Sequence, residues 1–187
     1  VTILFADMCA FTSMSEKMEP EDVVQTLNQY LGLMSKIVFE HGGTVDKYMG
    51  DCVMAFFNAP RSQDDHAAQA VRAALAIHEQ TAKLGDDKLP AIDMSIGINT
   101  GEAVIGNIGG EHRLDYTAIG DSINVGARLC SAAGTAETLI TSSTHKFVKD
   151  SFKCRKLGPE KFKGKKEPVV VYAVEGGETP EQSPQAD

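Results

Sequence analysis

The opening VTILFAD (1–7) is a short apolar run rich in β-branched residues that stops at an acid, the profile of a buried strand carrying a carboxylate at its tip. A polar stretch follows. From Glu21 the apolar residues Val24, Leu27, Leu31, Met34 and Val38 recur every three or four positions. This spacing predicts one face of a helix of roughly twenty residues, opened by Pro20 and closed at Gly42-Gly43. In VDKYMGDCVMAFF (45–57) two apolar runs meet at Met49-Gly50, a hairpin pattern. A second helix is predicted over about 64–84, with Ala67, Val71, Ala74, Leu75 and Ile77 on one side and the turn-rich GDDKLP at its end. IDMSIGI and EAVIGNI are strand-like runs separated by Asn99-Thr100-Gly101, which predicts a second hairpin. A third helix over about 122–133, the strand TLIT, a short helix at 143–149 and strands near 152–157 and 169–174 complete the ordered part. Helices alternating with antiparallel pairs point to an α+β two-layer sandwich. Its expected centre is a ferredoxin-like β-α-β-β-α-β core with additional C-terminal elements.

Composition narrows the class. A chain of 187 residues with 42% apolar and 24% charged residues fits a single soluble globular domain, here expected over 1–175. The tail GGETPEQSPQAD (176–187) is rich in Pro, Gly and acids, and is expected to be a disordered acidic tail. No apolar run is long enough to span a membrane and no signal-peptide pattern opens the chain, so the domain reads as cytoplasmic. It begins at Val1, already inside a strand-like run, and the expectation is a piece of a longer protein. A regulatory domain, or a membrane anchor, would precede it. The four cysteines are scattered, with no C-x-x-C pair, and read as reduced thiols. The five histidines suggest no site. A net charge of −8 argues against nucleic acid as a partner. The basic residues cluster in one stretch, with Lys153, Arg155, Lys156, Lys161, Lys163, Lys165 and Lys166 close together.

Candidate chemistry starts with two acids. Asp7 closes the first strand and Asp51 opens the second strand of the hairpin, and in a ferredoxin-like sheet these two points lie at one edge. Two neighbouring carboxylates repel unless a cation lies between them. Mg²⁺ takes oxygen ligands, keeps several waters and is held by one or two carboxylates together with substrate phosphates. The small and hydroxyl residues of MCAFTSMS, just after Asp7, form a turn whose amides suit phosphate oxygens. Read without their surroundings, Asp7 is an ordinary end-of-strand aspartate and Asp51 an ordinary turn aspartate.

FADMCAFT, HGGTVDKYMGD, GINTGEAVIGNIG and RLDYTAIGDSINVGAR, in this order and spacing, resemble the catalytic domain of the class III nucleotidyl cyclases. The resemblance covers Val1 to about Val174. It implies a head-to-tail homodimer with two active sites at the interface, each built from both protomers, that converts a nucleoside triphosphate to a 3′,5′-cyclic nucleotide and pyrophosphate. By the same resemblance Asp7 and Asp51, with the backbone carbonyl of Met8, bind two divalent ions, Mg²⁺ or Mn²⁺. The transition-state pair matches Asn124 and Arg128, four residues apart on the third helix. Lys163 matches the lysine that anchors the triphosphate. Lys47 and Thr117 match the two base-reading positions.

The base follows from hydrogen-bond chemistry. Adenine presents an acceptor at N1 and a donor at its 6-amino group, while guanine presents the reverse. Lysine only donates, and threonine does either. Lys47 and Thr117 therefore suit ATP, and threonine at the second position resembles a bacterial subgroup of adenylyl cyclases, some of which respond to bicarbonate. Two other readings stay open: a guanylyl cyclase, which typically carries glutamate at the Lys47 position, and a cyclase-like module that binds nucleotide and dimerises with little turnover. A palm-type polymerase shares the acid pair but gives Lys47, Thr117 and the NVGAR helix no part. One departure concerns the phosphate turn, where the family usually has glycine and this chain has Ala10. If that turn needs positive φ, the methyl group strains it.

Overall fold

A computed structural model describes residues 1–86, 89–162 and 167–178. Strand β1 (Thr2–Met8) lies in the interior of a seven-stranded mixed sheet, hydrogen-bonded on both edges. It is followed by the single-turn helix α1 (Phe11–Ser15) and the long helix α2 (Pro20–Glu40), then by the hairpin β2 (Thr44–Met49) and β3 (Cys52–Phe57). Helix α3 (His66–Thr81) leads into β4 (Met94–Thr100). Up to β4 the sheet order is β2-β3-β1-β4, all antiparallel neighbours, which is the ferredoxin-like order. Two more strands form a separate hairpin, β5 (Val104–Gly110) with β6 (Arg113–Ile119). After helix α4 (Asp121–Ala132) come β7 (Glu137–Thr141), α5 (Ser142–Val148), β8 (Phe152–Glu160) and β9 (Val169–Glu178), which extend the main sheet as β4-β7-β9-β8. The α+β class and the ferredoxin-like core are as expected. No helix among the described residues is long and apolar enough to cross a membrane.

Helix α2 begins at Pro20, whose missing N–H is not needed in a first turn, and ends just before Gly42, whose φ of 74° permits the exit. With α3 it covers one face of the sheet. Tyr30, Met34 and Ile37 from α2, Val71 and Ile77 from α3, and Leu4, Ala6 and Met8 from β1 form the main core. The opposite residues of β1, Ile3 and Phe5, pack with Met54, Phe56 and Cys130 beneath α4. So the sheet is covered on both faces, which is why VTILFAD reads as a continuous apolar run rather than an alternating one. Helix α4 lies very close to the sheet. A Cβ at Gly97 would collide with the Cys130 backbone nitrogen and stand 2.6 Å from Gly126 O, and one at Gly126 would stand 3.1 Å from Phe5.

The second hairpin differs from its expected form. β4 pairs with β1 and β7, while β5 leaves the sheet and pairs with β6, Val104 opposite Ile119. The residues read as a turn do other work. Asn99 is buried, donates to Ser122 O (2.9 Å) and accepts from the Thr141 hydroxyl (2.8 Å), which ties β4 to α4 and β7. At the C-terminus β9 runs to Glu178, three residues into the stretch expected to be disordered, and 179–187 lie outside the described residues.

The phosphate turn does need a left-handed residue. Ala10, at φ 57° and ψ 15°, precedes α1. A left-handed alanine costs about 1–2 kcal/mol, and glycine would give back about 0.5–1 kcal/mol of that through its freer unfolded chain. Ala10→Gly is therefore expected to stabilise the domain by about 0.5–1 kcal/mol, a rise in melting temperature of about 1–4 °C by calorimetry; an unchanged or lower value would contradict the strain.

Candidate active site

Asp7 is the penultimate residue of β1 and pairs across the ladder with Cys52, the first residue of β3. Asp51 immediately precedes Cys52, in the two-residue turn Gly50-Asp51 that joins Met49 to Cys52. Gly50 has φ 64° with open space where a Cβ would stand, so conformation rather than room calls for glycine there. The amide of Met8 donates to the Asp51 carbonyl at 3.4 Å, which holds this turn against the end of β1. The two acids thus meet at one end of the sheet, from sequence positions that only this register brings together.

Their electrostatics are unresolved within the chain. Burial, and then the nearby Asp51 charge, push the Asp7 carboxyl above the usual carboxylate range, and a hydrogen bond with the Cys52 thiol offsets part of this. No cation among the described residues contributes. The same region carries a second thiol, Cys130, which donates to Ser95 O at 3.1 Å and is pushed up by its contact with Cys52 and by burial. All four cysteines are free. Among the described residues no group of three or more His, Cys, Asp and Glu is placed to hold a metal. Two neighbouring carboxylates beside a backbone turn, with Asp7 held above the usual range, fit a hard divalent ion that completes its shell with water and phosphate oxygens.

The base-reading candidates lie on a different part of the surface. Lys47 is on β2, an edge strand, with its side chain 44% exposed. Thr117 is on β6 and is buried. The structure links them through a residue that sequence reasoning missed, Asp46. Its Oδ2 accepts from the Thr117 hydroxyl (2.7 Å) and from the Ala118 amide (3.1 Å), and its Oδ1 faces Lys47 Nζ at 3.4 Å. Asp46, Lys47, Leu114, Asp115 and Tyr116 line a cavity of about 270 Å³. An acid beside a lysine on an edge strand carries no sequence signal of burial, and only the packing of β6 against β2 reveals it.

Asn124 and Arg128 lie on α4, one turn apart, opposite the buried Val125, Gly126 and Leu129. Asn124 is exposed and Arg128 half-buried. Met8 buries its side chain and so can offer only backbone. Lys163 lies outside the described residues. A larger cavity of about 510 Å³, bounded by Asn99, Glu102, Asp121 and Ser143, contains none of the expected site residues.

A ferredoxin-like sheet with an acid pair at this point, and with a polar helix laid across its second face, is the frame of a nucleotidyl cyclase. The adenylate and guanylate cyclase catalytic domain matches residues 1–176, and the chain belongs to that family. It is 38% identical over 182 residues to adenylate cyclase 1 of Rhizobium meliloti, covering 94% of this chain and 27% of that protein. The chain thus spans about a quarter of the length of this relative. Its structure is similar to that of the adenylyl cyclase CyaB from P. aeruginosa, with 38% identity, a TM-score of 0.87, and 94% and 93% of the two chains covered. It is also similar to the guanylyl cyclase Cya2, with 39% identity, a TM-score of 0.82, and 97% and 94% covered. Overall likeness leaves the base open. Cyclase domains of this family are generally metal-dependent.

The raised Asp7 pKa has a direct consequence. Because the folded state disfavours the charged form, the fold carries a penalty above that pKa that is relieved as pH falls through it. Asp7→Asn is expected to raise the melting temperature of the metal-free domain at pH 7, and to abolish the further rise that millimolar Mg²⁺ gives the unaltered chain. Equal Mg²⁺ stabilisation of both proteins would exclude Asp7 as a ligand.

Proposed function

We propose that this domain converts ATP to 3′,5′-cyclic AMP and pyrophosphate at sites shared between two copies of the chain, as the cytoplasmic output of a larger signalling protein. The observation that carries the choice of ATP is the joining of Lys47 and Thr117, from distant parts of the sequence, on one buried carboxylate beside a cavity. Lys47 donates to adenine N1, and Thr117 accepts from the 6-amino group. Guanine would set its N1 proton against the Lys47 ammonium, and each unpaired buried group costs roughly 1–3 kcal/mol.

Asp7, Asp51 and the Met8 carbonyl would hold two divalent ions, Mg²⁺ or Mn²⁺. When bound, these neutralise the triphosphate and make the ribose 3′-hydroxyl more acidic. Arg128 stabilises charge that builds on the phosphate oxygens, and Asn124 orients the ribose. Lys163 anchors the triphosphate. Dimerisation finds support in the surface: Val104 and Leu114 are each 65% exposed and Ile119 is 50% exposed on the β5–β6 hairpin, next to Tyr116 at the cavity wall. The similarity to a guanylyl cyclase gives the GTP reading its weight, and Lys47 is the residue that opposes it.

Two experiments test this. Purified domain with Mg²⁺ or Mn²⁺ is expected to form cyclic AMP in preference to cyclic GMP, and Lys47→Glu to lower the ATP:GTP ratio of kcat/KM by at least about tenfold. Cyclic GMP as the main product of the unaltered domain would overturn the choice of base. Asp7→Ala and Arg128→Ala chains, each inactive, are expected to regain activity when mixed. Mixed dimers that form and stay inactive would remove the shared site.

A further inference from the structure

Asp46 occupies an irregular position. In the β2–β3 ladder Val45 pairs with Ala55 and Lys47 with Met54, so Asp46 is the extra residue of a β-bulge. In a regular strand neighbouring side chains face opposite sides. The bulge lifts that restriction, and it lets Asp46 and Lys47 form an ion pair at 3.4 Å although they are adjacent in sequence. Bulges of this kind re-aim side chains beside active sites.

The Asp46 side chain is 1% exposed, far from the usual environment of an edge-strand acid. Its two oxygens have distinct partners. The Ala118 amide can only donate, which fixes Oδ2 as an acceptor. Oδ1 is buried, accepts no hydrogen bond among the described residues, and faces the Lys47 ammonium. The Thr117 hydroxyl, 2.7 Å from Oδ2, donates to it. A hydroxyl has one proton. Once it is committed to Asp46, Thr117 offers only lone pairs to anything else.

We propose that Asp46 is a positioning residue that sets the polarity of the base pocket. By taking the Thr117 proton it converts an ambivalent hydroxyl into an acceptor, which suits the 6-amino group of adenine and repels O6 of guanine, and through Oδ1 it holds the Lys47 donor alongside. Threonine thereby gains the selectivity of a carboxylate without carrying a charge into the pocket. This rests on the reading of Lys47 and Thr117 as the base-reading pair.

The test is the ATP:GTP ratio of kcat/KM, measured on one preparation of the domain for each variant, so that the folded fraction cancels. Asp46→Ala frees the Thr117 proton to face guanine O6, and the ratio is expected to fall about tenfold. In Asp46→Asn the amide oxygen stays at the Ala118 amide and still accepts from Thr117, while its NH₂ faces Lys47. There the KM for ATP is expected to rise with the ratio held within about threefold. In a Thr117→Ala background the difference between the two Asp46 variants is expected to vanish. Should Asp46→Ala fail to fold, Asp46→Ser takes its place with the same expected loss. If Thr117→Ala changes the ratio but Asp46→Ala does not, the proposal falls and the base-reading assignment stands. If Thr117→Ala itself leaves the ratio unchanged, the assignment falls and takes the proposal with it. An equal loss in Asp46→Asn and Asp46→Ala overturns the polarity device, since the amide preserves the acceptor.

Discussion

Burial of β1 on both faces governs the rest of the molecule. Leu4, Ala6 and Met8 point into the core beneath α2 and α3, and Ile3 and Phe5 into the one beneath α4. Because side chains alternate, a slip of one residue would exchange these sets and turn Asp7 toward the α2–α3 core. The same register that excludes this slip pairs Asp7 with Cys52 and so sets Asp51 beside it. The acid pair is therefore a consequence of core packing. Its precision comes from a strand that has only one way to lie.

This explains which parts were legible in the sequence. Helix α2 was readable from a period that burial enforces over many residues, and β1 and the β2–β3 hairpin from short apolar runs bounded by an acid or a turn. The β5–β6 hairpin was not, because β6 (RLDYTAI) lies outside the main sheet and mixes charged with apolar positions, while Asn99-Thr100-Gly101 looks like a turn until its side chain is found tying β4 to α4. The site residues became visible through several family motifs in register rather than through periodicity, since a lone aspartate at a strand end is chemically ambiguous. Asp46 escaped both routes. A β-bulge without glycine leaves no mark in the sequence, and burial of an edge-strand acid is set by contacts with residues about seventy positions away.

An edge strand is well suited to this irregularity. β2 hydrogen-bonds only to β3 within its sheet, so an unpaired residue disturbs one ladder rather than two. The cost is further limited by anchors on either side: the Tyr48 hydroxyl lies 2.8 Å from Ser35 of α2, and Asp46 bonds β6. The bulge also keeps Lys47 partly exposed while its carboxylate partner stays dry. The proposed base recognition needs that combination, an accessible donor whose direction is fixed from inside.

The two halves of the proposed site are electrostatically opposite. Around Lys47 the charges are paired within the chain, so this part is organised before any ligand arrives. Around Asp7 they are not: the carboxylate is desolvated, repelled by Asp51 and helped only by a thiol. A ligand that brings cations therefore stabilises the acid half far more than the base half. If the acids of one copy serve the nucleotide read by the other, as proposed, the binding free energy of metal and triphosphate is also free energy of association, and the dimer is favoured when the substrate is present. A paired base half and an unpaired acid half would then make selection of the nucleotide a property of one protomer, and commitment to the reaction a property of two.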